Sequence, residues 1–249
     1  MRLLILGGTA EANALVRRIA GCPHFDPILS LAGRTRHPAP PPIPFRIGGF
    51  GGIAGLKTYL IDGKIDAVID ATHPFAAQMS AHAAAACCDL AIPLAVLTRP
   101  AWGPEEGDRW IAAADIPAAA RALGERPRRV FLTVGGSQLA AFAAAPQHHY
   151  IVRAIERPNA IAGLPCHRLV LARGPFSVED ETALMQAERV EMLVTKNSGG
   201  AVVAAKLAAA RALCIPVVMV ERPAAAGDVP TVDTAEAALA WIDRHRRFP

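Results

Sequence analysis

The sequence predicts an α/β protein of two lobes, each an open, mostly parallel sheet flanked by helices. Short apolar runs alternate with alanine-rich helical stretches, a pattern typical of parallel strands joined by right-handed crossovers. A glycine turn follows an apolar strand in each half, at Gly7-Gly8-Thr9 and at Gly135-Gly136-Ser137. The stretch 100–109 is rich in proline, tryptophan and acids. We therefore place the lobes at residues 1–108 and 109–249, with a cleft between them.

Composition limits the classes of protein to which the chain can belong. Its 249 residues are 52% hydrophobic, which is enough for a sizeable core. No uncharged apolar run approaches the roughly 20 residues of a membrane span, and Met1-Arg2 leads directly into a strand, so we expect a cytoplasmic protein. The five cysteines form no C-x-x-C pair, which indicates free thiols and no metal site. A net charge of +4 favours anionic ligands, whereas 5% aromatics and scattered basic residues argue against nucleic acid.

The first glycine turn indicates a nucleotide site in the first lobe. An apolar strand at residues 3–6 is followed by Gly7, Gly8 and a predicted helix, and the start of such a helix leaves N–H groups free for a phosphate. The dinucleotide pattern G-x-G-x-x-G is only partly met, because Thr9 and Ala12 occupy its second and third glycine positions. We expect the Thr9 hydroxyl to bind phosphate; an ordinary strand-to-helix turn is the alternative. The predicted phosphate-binding residues are Gly8, Thr9 and Ala10.

Two further loops of the first lobe fit the same site. The second predicted strand ends at Gly33-Arg34-Thr35, where an NAD-binding unit carries an acid and an arginine favours the 2′-phosphate of NADP. The glycines of the stretch 48–52, Gly49 among them, allow a close approach of the backbone to a ligand. A solvated loop cation and flexible glycines, respectively, are the alternatives.

The predicted strand 65–70 runs into Thr72-His73-Pro74, and Pro74 suits the first position of a helix over 75–89. Ligands of open α/β sheets bind at the carboxyl ends of strands, which is where His73 lies. A histidine at this place is equally compatible with a helix cap. The motif therefore indicates a ligand-facing turn whose chemistry stays open at this point.

The most specific stretch of the second lobe is Thr195-Lys196-Asn197-Ser198-Gly199-Gly200. It lies between a predicted strand at 190–194 and a predicted helix at 201–213. A cation, an amide, two hydroxyls and two glycines at the start of a helix form a composition suited to anion binding. The order of a P-loop is absent, so the sequence does not support ATP hydrolysis.

Taken together, these motifs resemble the precorrin-6A reductase family of cobalamin biosynthesis over nearly the whole chain. The resemblance rests mainly on Asp70-Ala71-Thr72-His73-Pro74-Phe75-Ala76 and on the Thr195–Gly200 stretch, with support from residues 6–12, 49–52 and 215–223. It implies two Rossmann-like lobes and an NADPH-dependent reductase that reduces one double bond of a tetrapyrrole, precorrin-6A, to give precorrin-6B. Arg34 and the basic net charge agree with NADPH and a polycarboxylate substrate.

The resemblance also implies roles for individual residues. The proton donor is unresolved between His73, Lys196 and a water molecule, and Arg99 and Arg173 are additional candidates for clamping substrate carboxylates. The expected cofactor-binding residues are Gly8, Thr9, Ala10, Arg34, Thr35, Gly49, Thr72, His73, Pro74 and Ser137. The expected substrate-binding residues are Lys196, Asn197, Ser198, Gly199, Gly200 and Arg222.

Two other classes share these features. A two-lobed sugar-nucleotide transferase would have the same cleft and glycine loops, but would need an acid for the donor ribose that the second lobe lacks. A nucleotide or anion sensor would need only the binding loops. The sequence leaves open whether the substrate carries cobalt, the stereochemistry of hydride transfer, the extent of lobe closure and the oligomeric state, with a monomer as one option.

Overall fold

The computed structural model describes residues 1–33, 40–224 and 227–246, and it divides the chain into two compact units. The first comprises Met1–Pro100 together with Pro223–Pro249, and the second comprises Ala101–Arg222. The prediction of one α/β unit in each half is confirmed, but the predicted division at residues 108 and 109 is wrong because the end of the chain returns to the first unit.

The first unit contains a six-stranded sheet in the order β12-β5-β4-β1-β2-β3, and the recorded strand pairs are all parallel. Its strands are β1 (Arg2–Leu6), β2 (Asp26–Leu31), β3 (Phe45–Ile47), β4 (Ala67–Asp70), β5 (Leu94–Leu97) and β12 (Thr231–Val232). Its helices are α1 (Ala10–Ile19), α2 (Gly52–Asp62), α3 (Ala77–Leu90) and α7 (Ala235–Arg244).

The second unit repeats this arrangement with a six-stranded parallel sheet in the order β6-β11-β10-β7-β8-β9. Its strands are β6 (Trp110–Ala113), β7 (Arg129–Leu132), β8 (His149–Ala154), β9 (His167–Leu171), β10 (Met192–Lys196) and β11 (Val217–Val220). Its helical segments are α4 (Ile116–Ala122), α5 (Val178–Ala187), α6 (Ala205–Ala212) and the 3₁₀ segments Gly136–Ala144, Asn159–Gly163 and Ala201–Val203.

The central strand β1 shows why the apolar runs of the sequence are continuous rather than alternating. Leu3 and Ile5 pack into an apolar cluster on one face of the sheet, whereas Leu4 and Leu6 pack into another. Parallel sheets are covered by helices on both faces, so neither set of side chains can be polar. This burial on both faces fixes β1 inside the sheet. Its carboxyl end, followed by the glycine turn, lies on the side where the parallel strands of this sheet end.

The C-terminal helix belongs to the first unit for a physical reason that its own sequence does not reveal. Trp241 and Ile242 of α7 are buried in the same cluster as Leu15 and Ile19 of α1. The preceding strand β12 pairs with β5 and extends the first sheet. An amphipathic helix must bury its apolar stripe, but its pattern does not specify which sheet it covers.

Candidate functional site

In the first unit, the turn between β1 and α1 presents free backbone donors. The N–H groups of Gly8, Thr9 and Ala10 make no hydrogen bond within the described part of the chain. Gly8 has a φ of 115°, a conformation that residues other than glycine rarely adopt. Gly7 is fixed by its N–H bond to the Ser30 carbonyl at 2.9 Å. Free N–H groups at the positive end of a helix suit an anion.

The Thr9 side chain has a different role from the one predicted for it. Its hydroxyl accepts a hydrogen bond from the Ala12 amide at 3.1 Å and donates its single proton to the Ala71 carbonyl at 2.8 Å. The residue is 8% exposed. The predicted bond from the hydroxyl to a phosphate is therefore wrong, because that proton is already used. Thr9 caps α1 and ties the turn to the end of β4, and only its backbone N–H is left for a ligand.

The turn after β4 is organised by Asp70, for which no role was predicted from the sequence. One carboxylate oxygen, Oδ1, accepts hydrogen bonds from the Thr72 amide at 3.0 Å and the Thr72 hydroxyl at 2.7 Å. The other, Oδ2, is buried without a partner among the described residues. Burial, with a smaller contribution from the Asp70 charge, raises the pKa of the Cys87 thiol to about 12. Asp70 thus sets the direction of the Thr72 side chain.

His73 is held in one tautomer by the chain itself. Its Nδ1 accepts a hydrogen bond from the Phe75 amide at 3.2 Å. Because an amide can only donate, Nδ1 is unprotonated here and the ring proton is on Nε2. An imidazolium would lose this bond, which makes His73 better suited to donating a hydrogen bond than to supplying a proton. Pro74 lies in a turn and α3 begins at Ala77, so the prediction that Pro74 opens the helix is wrong.

A guanidinium that the sequence analysis missed organises the glycine loop of residues 48–52. Arg46 lies in the short strand β3, which was not predicted because it follows a proline-rich stretch. Its Nη1 donates to Ser30 Oγ at 2.8 Å and to the Gly48 carbonyl at 2.9 Å, and its Nη2 donates to the Gly49 carbonyl at 2.8 Å. The predicted cofactor-binding residue Gly49 is therefore held at the carboxyl end of β3.

Three other arginines were predicted to bind ligands: Arg34, Arg99 and Arg173. Arg34, with the neighbouring Thr35, lies outside the described residues. Arg99 makes a 2.8 Å ion pair with Glu11 of α1, and both side chains are less than one fifth exposed. Arg173 of the second unit is exposed and has no hydrogen bond or ion pair among the described residues.

In the second unit, the glycine turn after β7 leads into a 3₁₀ helix. The Gly135 amide donates to the Gln138 side chain at 3.1 Å, which closes the turn. A Cβ at Gly136 would lie 2.9 Å from the Pro158 side chain, so the close packing here requires glycine. Ser137 is exposed at the start of the 3₁₀ segment Gly136–Ala144, and its hydroxyl has no partner within the described residues.

The loop after β10 is fixed by a side chain that was predicted to bind substrate. The Asn197 amide accepts a hydrogen bond from the Trp102 N–H at 2.8 Å and donates to the Trp102 carbonyl at 2.9 Å. The Trp102 indole also donates to the Gly200 carbonyl at 3.0 Å. Asn197 therefore clamps the segment before β6 to the loop, and a substrate contact through the same amide atoms stays a prediction.

Arg222 supports the same loop from its other side. Its Nε donates to the Asn197 carbonyl and its Nη2 to the Ser198 carbonyl, both at 2.9 Å. Gly199 and Gly200 have φ values of 68° and 84°, which explains the glycines. The predicted long helix over 201–213 is wrong in its first turn, because Ala201–Val203 is 3₁₀ and α6 begins only at Ala205.

Two lysines flank this loop. Lys196, a predicted site residue, is half-buried at the end of β10. Lys206 was missed by the sequence analysis, because nothing in the alanine-rich pattern of α6 marks it as buried. Its ammonium lies 4.9 Å from the centre of the Trp102 ring and donates to the Val203 carbonyl at 2.6 Å. The loop therefore combines positive charge with ordered backbone at the carboxyl edge of the sheet.

The described residues contain no group of three or more His, Cys, Asp and Glu side chains placed to hold a metal ion. No helix in the described part of the chain is long and apolar enough to cross a membrane.

Comparisons with known proteins converge on one enzyme family. A family model described as precorrin-6x reductase CbiJ/CobK matches residues 2–243. Precorrin-6A reductase of Rhodobacter capsulatus is 47% identical over 251 residues, covering 100% of this chain and 98% of that protein. The enzyme of the same name from Rhodococcus erythropolis is 49% identical and covers 97% of both chains. A solved structure of CobK precorrin-6A reductase is 45% identical, covers 100% of this chain and 99% of that one, and has a TM-score of 0.92.

Proposed function

Because this chain belongs to the precorrin-6x reductase family, we propose that it reduces precorrin-6A with NADPH held by the first unit. The family and the full-length relatives make it a reductase of cobalamin biosynthesis. The transferase and sensor interpretations are set aside, since the relatives matched along the whole chain are reductases. The choice of NADPH, the residue roles, the cytoplasmic location, the oligomeric state and the cleft between the lobes stay predictions.

The observation that carries the proposal is the set of free N–H groups at Gly8, Thr9 and Ala10. They would donate hydrogen bonds to the cofactor's pyrophosphate at the positive end of α1. The Thr9 hydroxyl holds this turn against the end of β4, and Asp70 holds Thr72 beside it. The reduced nicotinamide, when bound, supplies the hydride for one ring carbon. Thr72, His73 and Pro74 would position the ribose and nicotinamide.

The second unit would bind the carboxylates of the tetrapyrrole. Lys196 ends β10, the exposed Arg173 follows β9 and the exposed Ser137 follows β7, so these three side chains lie at the carboxyl ends of strands of one parallel sheet. Carboxylates bind best to cations and to donors that are already ordered. Asn197 and Arg222 provide that order by hydrogen bonding the Trp102 backbone and the loop carbonyls. In this proposal they position the loop around the substrate.

We expect His73→Ala to weaken NADPH binding about fivefold while changing kcat less than threefold. The reason is that Nδ1 accepts a hydrogen bond from the Phe75 amide, and an imidazolium could not accept it, so the ring is a poor source of a proton. Calorimetry gives the Kd and steady-state kinetics with precorrin-6A give kcat. A general acid contributes about 10²–10⁴ to a rate. A large loss of kcat at constant Kd would therefore restore His73 as the proton donor, and the expected result leaves Lys196 or water.

The test of the proposed cofactor is calorimetric titration with NADPH and NADH. We expect the wild-type protein to prefer NADPH, and Arg34→Ala to weaken NADPH about tenfold, or 1.4 kcal/mol, while leaving NADH unchanged. Binding of neither nucleotide, with and without the tetrapyrrole, would contradict the proposal. Arg17→Ala is the matched control, because Arg17 is an exposed cation in the last turn of α1.

A further inference from the structure

Arg46 links the ends of two strands to the glycine loop of the first unit. It is the register partner of Ser30 in the β2–β3 pair. Its guanidinium donates three hydrogen bonds, to Ser30 Oγ, the Gly48 carbonyl and the Gly49 carbonyl. The last two bonds bring successive carbonyls of the loop onto one group. Arg46 therefore determines how the chain leaves β3.

The Arg46 guanidinium also packs against two aromatic rings. Its central carbon lies 4.1 Å from the centre of the Phe50 ring and 5.3 Å from that of Tyr59. The two rings pack edge to face, with their centres 5.1 Å apart. A cation over an aromatic face is attracted by the negative charge density of the ring. These contacts restrict the rotamers of Arg46, so the position of its charge is fixed before a ligand binds.

The Arg46 charge has no acidic partner among the described residues. All the acceptors of its hydrogen bonds are neutral oxygens. A guanidinium carries five N–H donors. Three hydrogen bonds use three of them, which leaves Nε–H and one Nη2–H. A half-buried cation with two donors to spare and no counter-charge is suited to bind an anion.

The position of Arg46 in the sheet indicates which anion it would bind. In dinucleotide-binding sheets the end of the second strand reads the ribose next to the adenine, where an acid selects NAD and an arginine accommodates the 2′-phosphate of NADP. The described residues at the end of β2, from Ser30 to Gly33, include no acid. Ser30, the acceptor of the Arg46 bond, lies at that end. The phosphate would therefore meet a cation that is already oriented.

We propose that Arg46 determines the preference for NADPH by binding the 2′-phosphate and by holding the Gly48–Gly52 loop in its binding conformation. The proposal rests on the proposed function, because it assumes that the first unit takes a dinucleotide. It adds a second cation to the predicted Arg34. Sequence reasoning missed it because no local motif connects Arg46 to Ser30, 16 positions earlier.

The test compares ligands that differ only in the 2′-phosphate. Calorimetric titration of the wild type, Arg46→Met and the control Arg17→Met would use NADPH against NADH, and adenosine 2′,5′-bisphosphate against 5′-AMP. We expect Arg46→Met to weaken NADPH and the bisphosphate tenfold or more, but NADH and AMP less than threefold. The control should bind all four ligands as the wild type does.

Arg46→Lys separates charge from geometry and serves if Arg46→Met does not fold. It keeps the positive charge but lacks the planar fork of donors that reaches all three oxygens, so NADPH should weaken three- to tenfold and NADH less than threefold. An equal loss for both members of each pair, or no loss in either variant, would overturn the proposal for Arg46. If the wild type binds neither dinucleotide, the proposed cofactor itself fails. If it binds NADPH and NADH equally, the assignment of a 2′-phosphate site fails.

Discussion

Replacing Glu181 with alanine is expected to destabilise the second unit by about 3–5 kcal/mol. Glu181 on α5 and Arg153 at the end of β8 form a two-pronged ion pair, with N–O distances of 2.7 and 2.8 Å. The side chains are only 3% and 11% exposed. Removing the carboxylate leaves a buried guanidinium without its counter-charge, which costs far more than loss of a surface pair.

The aromatic contacts of Arg153 connect this ion pair to the chain segment at the carboxyl ends of the strands. Its guanidinium lies 4.0 Å from the centre of the Phe176 ring and 5.0 Å from that of Phe131. Phe176 is close in the chain to Arg173, the exposed candidate for binding a substrate carboxylate. We therefore expect Glu181→Ala also to loosen the segment that carries Arg173.

Denaturant unfolding followed by tryptophan emission measures the effect, because Trp102 and Trp110 both lie in the second unit. Glu179→Ala is the control, since Glu179 is an exposed acid in the first turn of the same helix. It should cost less than about 1 kcal/mol. A loss below 1 kcal/mol for Glu181→Ala would mean that the Arg153 charge finds solvent or another partner, and the buried-pair interpretation would be wrong.

Sequence patterns predicted those parts of the fold that are determined by residues close together in the chain. The βα turn at Gly7 and Gly8 could be predicted because a positive φ and a buried strand leave few residue types possible. The edge strand β3 was missed because it has only three residues and follows prolines. The C-terminal helix was assigned to the wrong unit because amphipathicity reports that a face is buried without naming its partner.

In the candidate site as well, local motifs could be recognised in the sequence, whereas contacts between residues far apart in the chain could not. The stretch 195–200 was predicted to bind an anion, which stays a prediction, and the structure places its first two residues in β10 and the others in the loop that follows. Its asparagine, however, is bound to the backbone of Trp102, which is 95 positions away. The Thr9 hydroxyl is bound to Ala71, 62 positions away. Residue types predicted that hydrogen bonds would form at these places, but only the tertiary structure shows which groups are used by the protein and which are left for ligands.

Gly8→Ala is expected to weaken NADPH binding about a hundredfold while leaving the protein folded. At a φ of 115° an alanine is strongly disfavoured, so the turn must rotate and redirect the N–H groups of Gly8, Thr9 and Ala10. Hydrogen bonds to a charged group contribute about 1.5–3 kcal/mol each, so losing one or two of them corresponds to roughly two factors of ten in Kd.

Gly21→Ala provides the matched control for backbone strain. Gly21 also has a positive φ, of 78°, and a Cβ there, as at Gly8, would meet no atom within 4 Å. Both variants should lose roughly 1–3 kcal/mol of stability from strain. Calorimetry with NADPH and thermal unfolding of both variants then separate strain from ligand binding. If the two variants bind NADPH equally well, the amides after β1 do not hold the pyrophosphate, and the nucleotide site must be sought at another strand end.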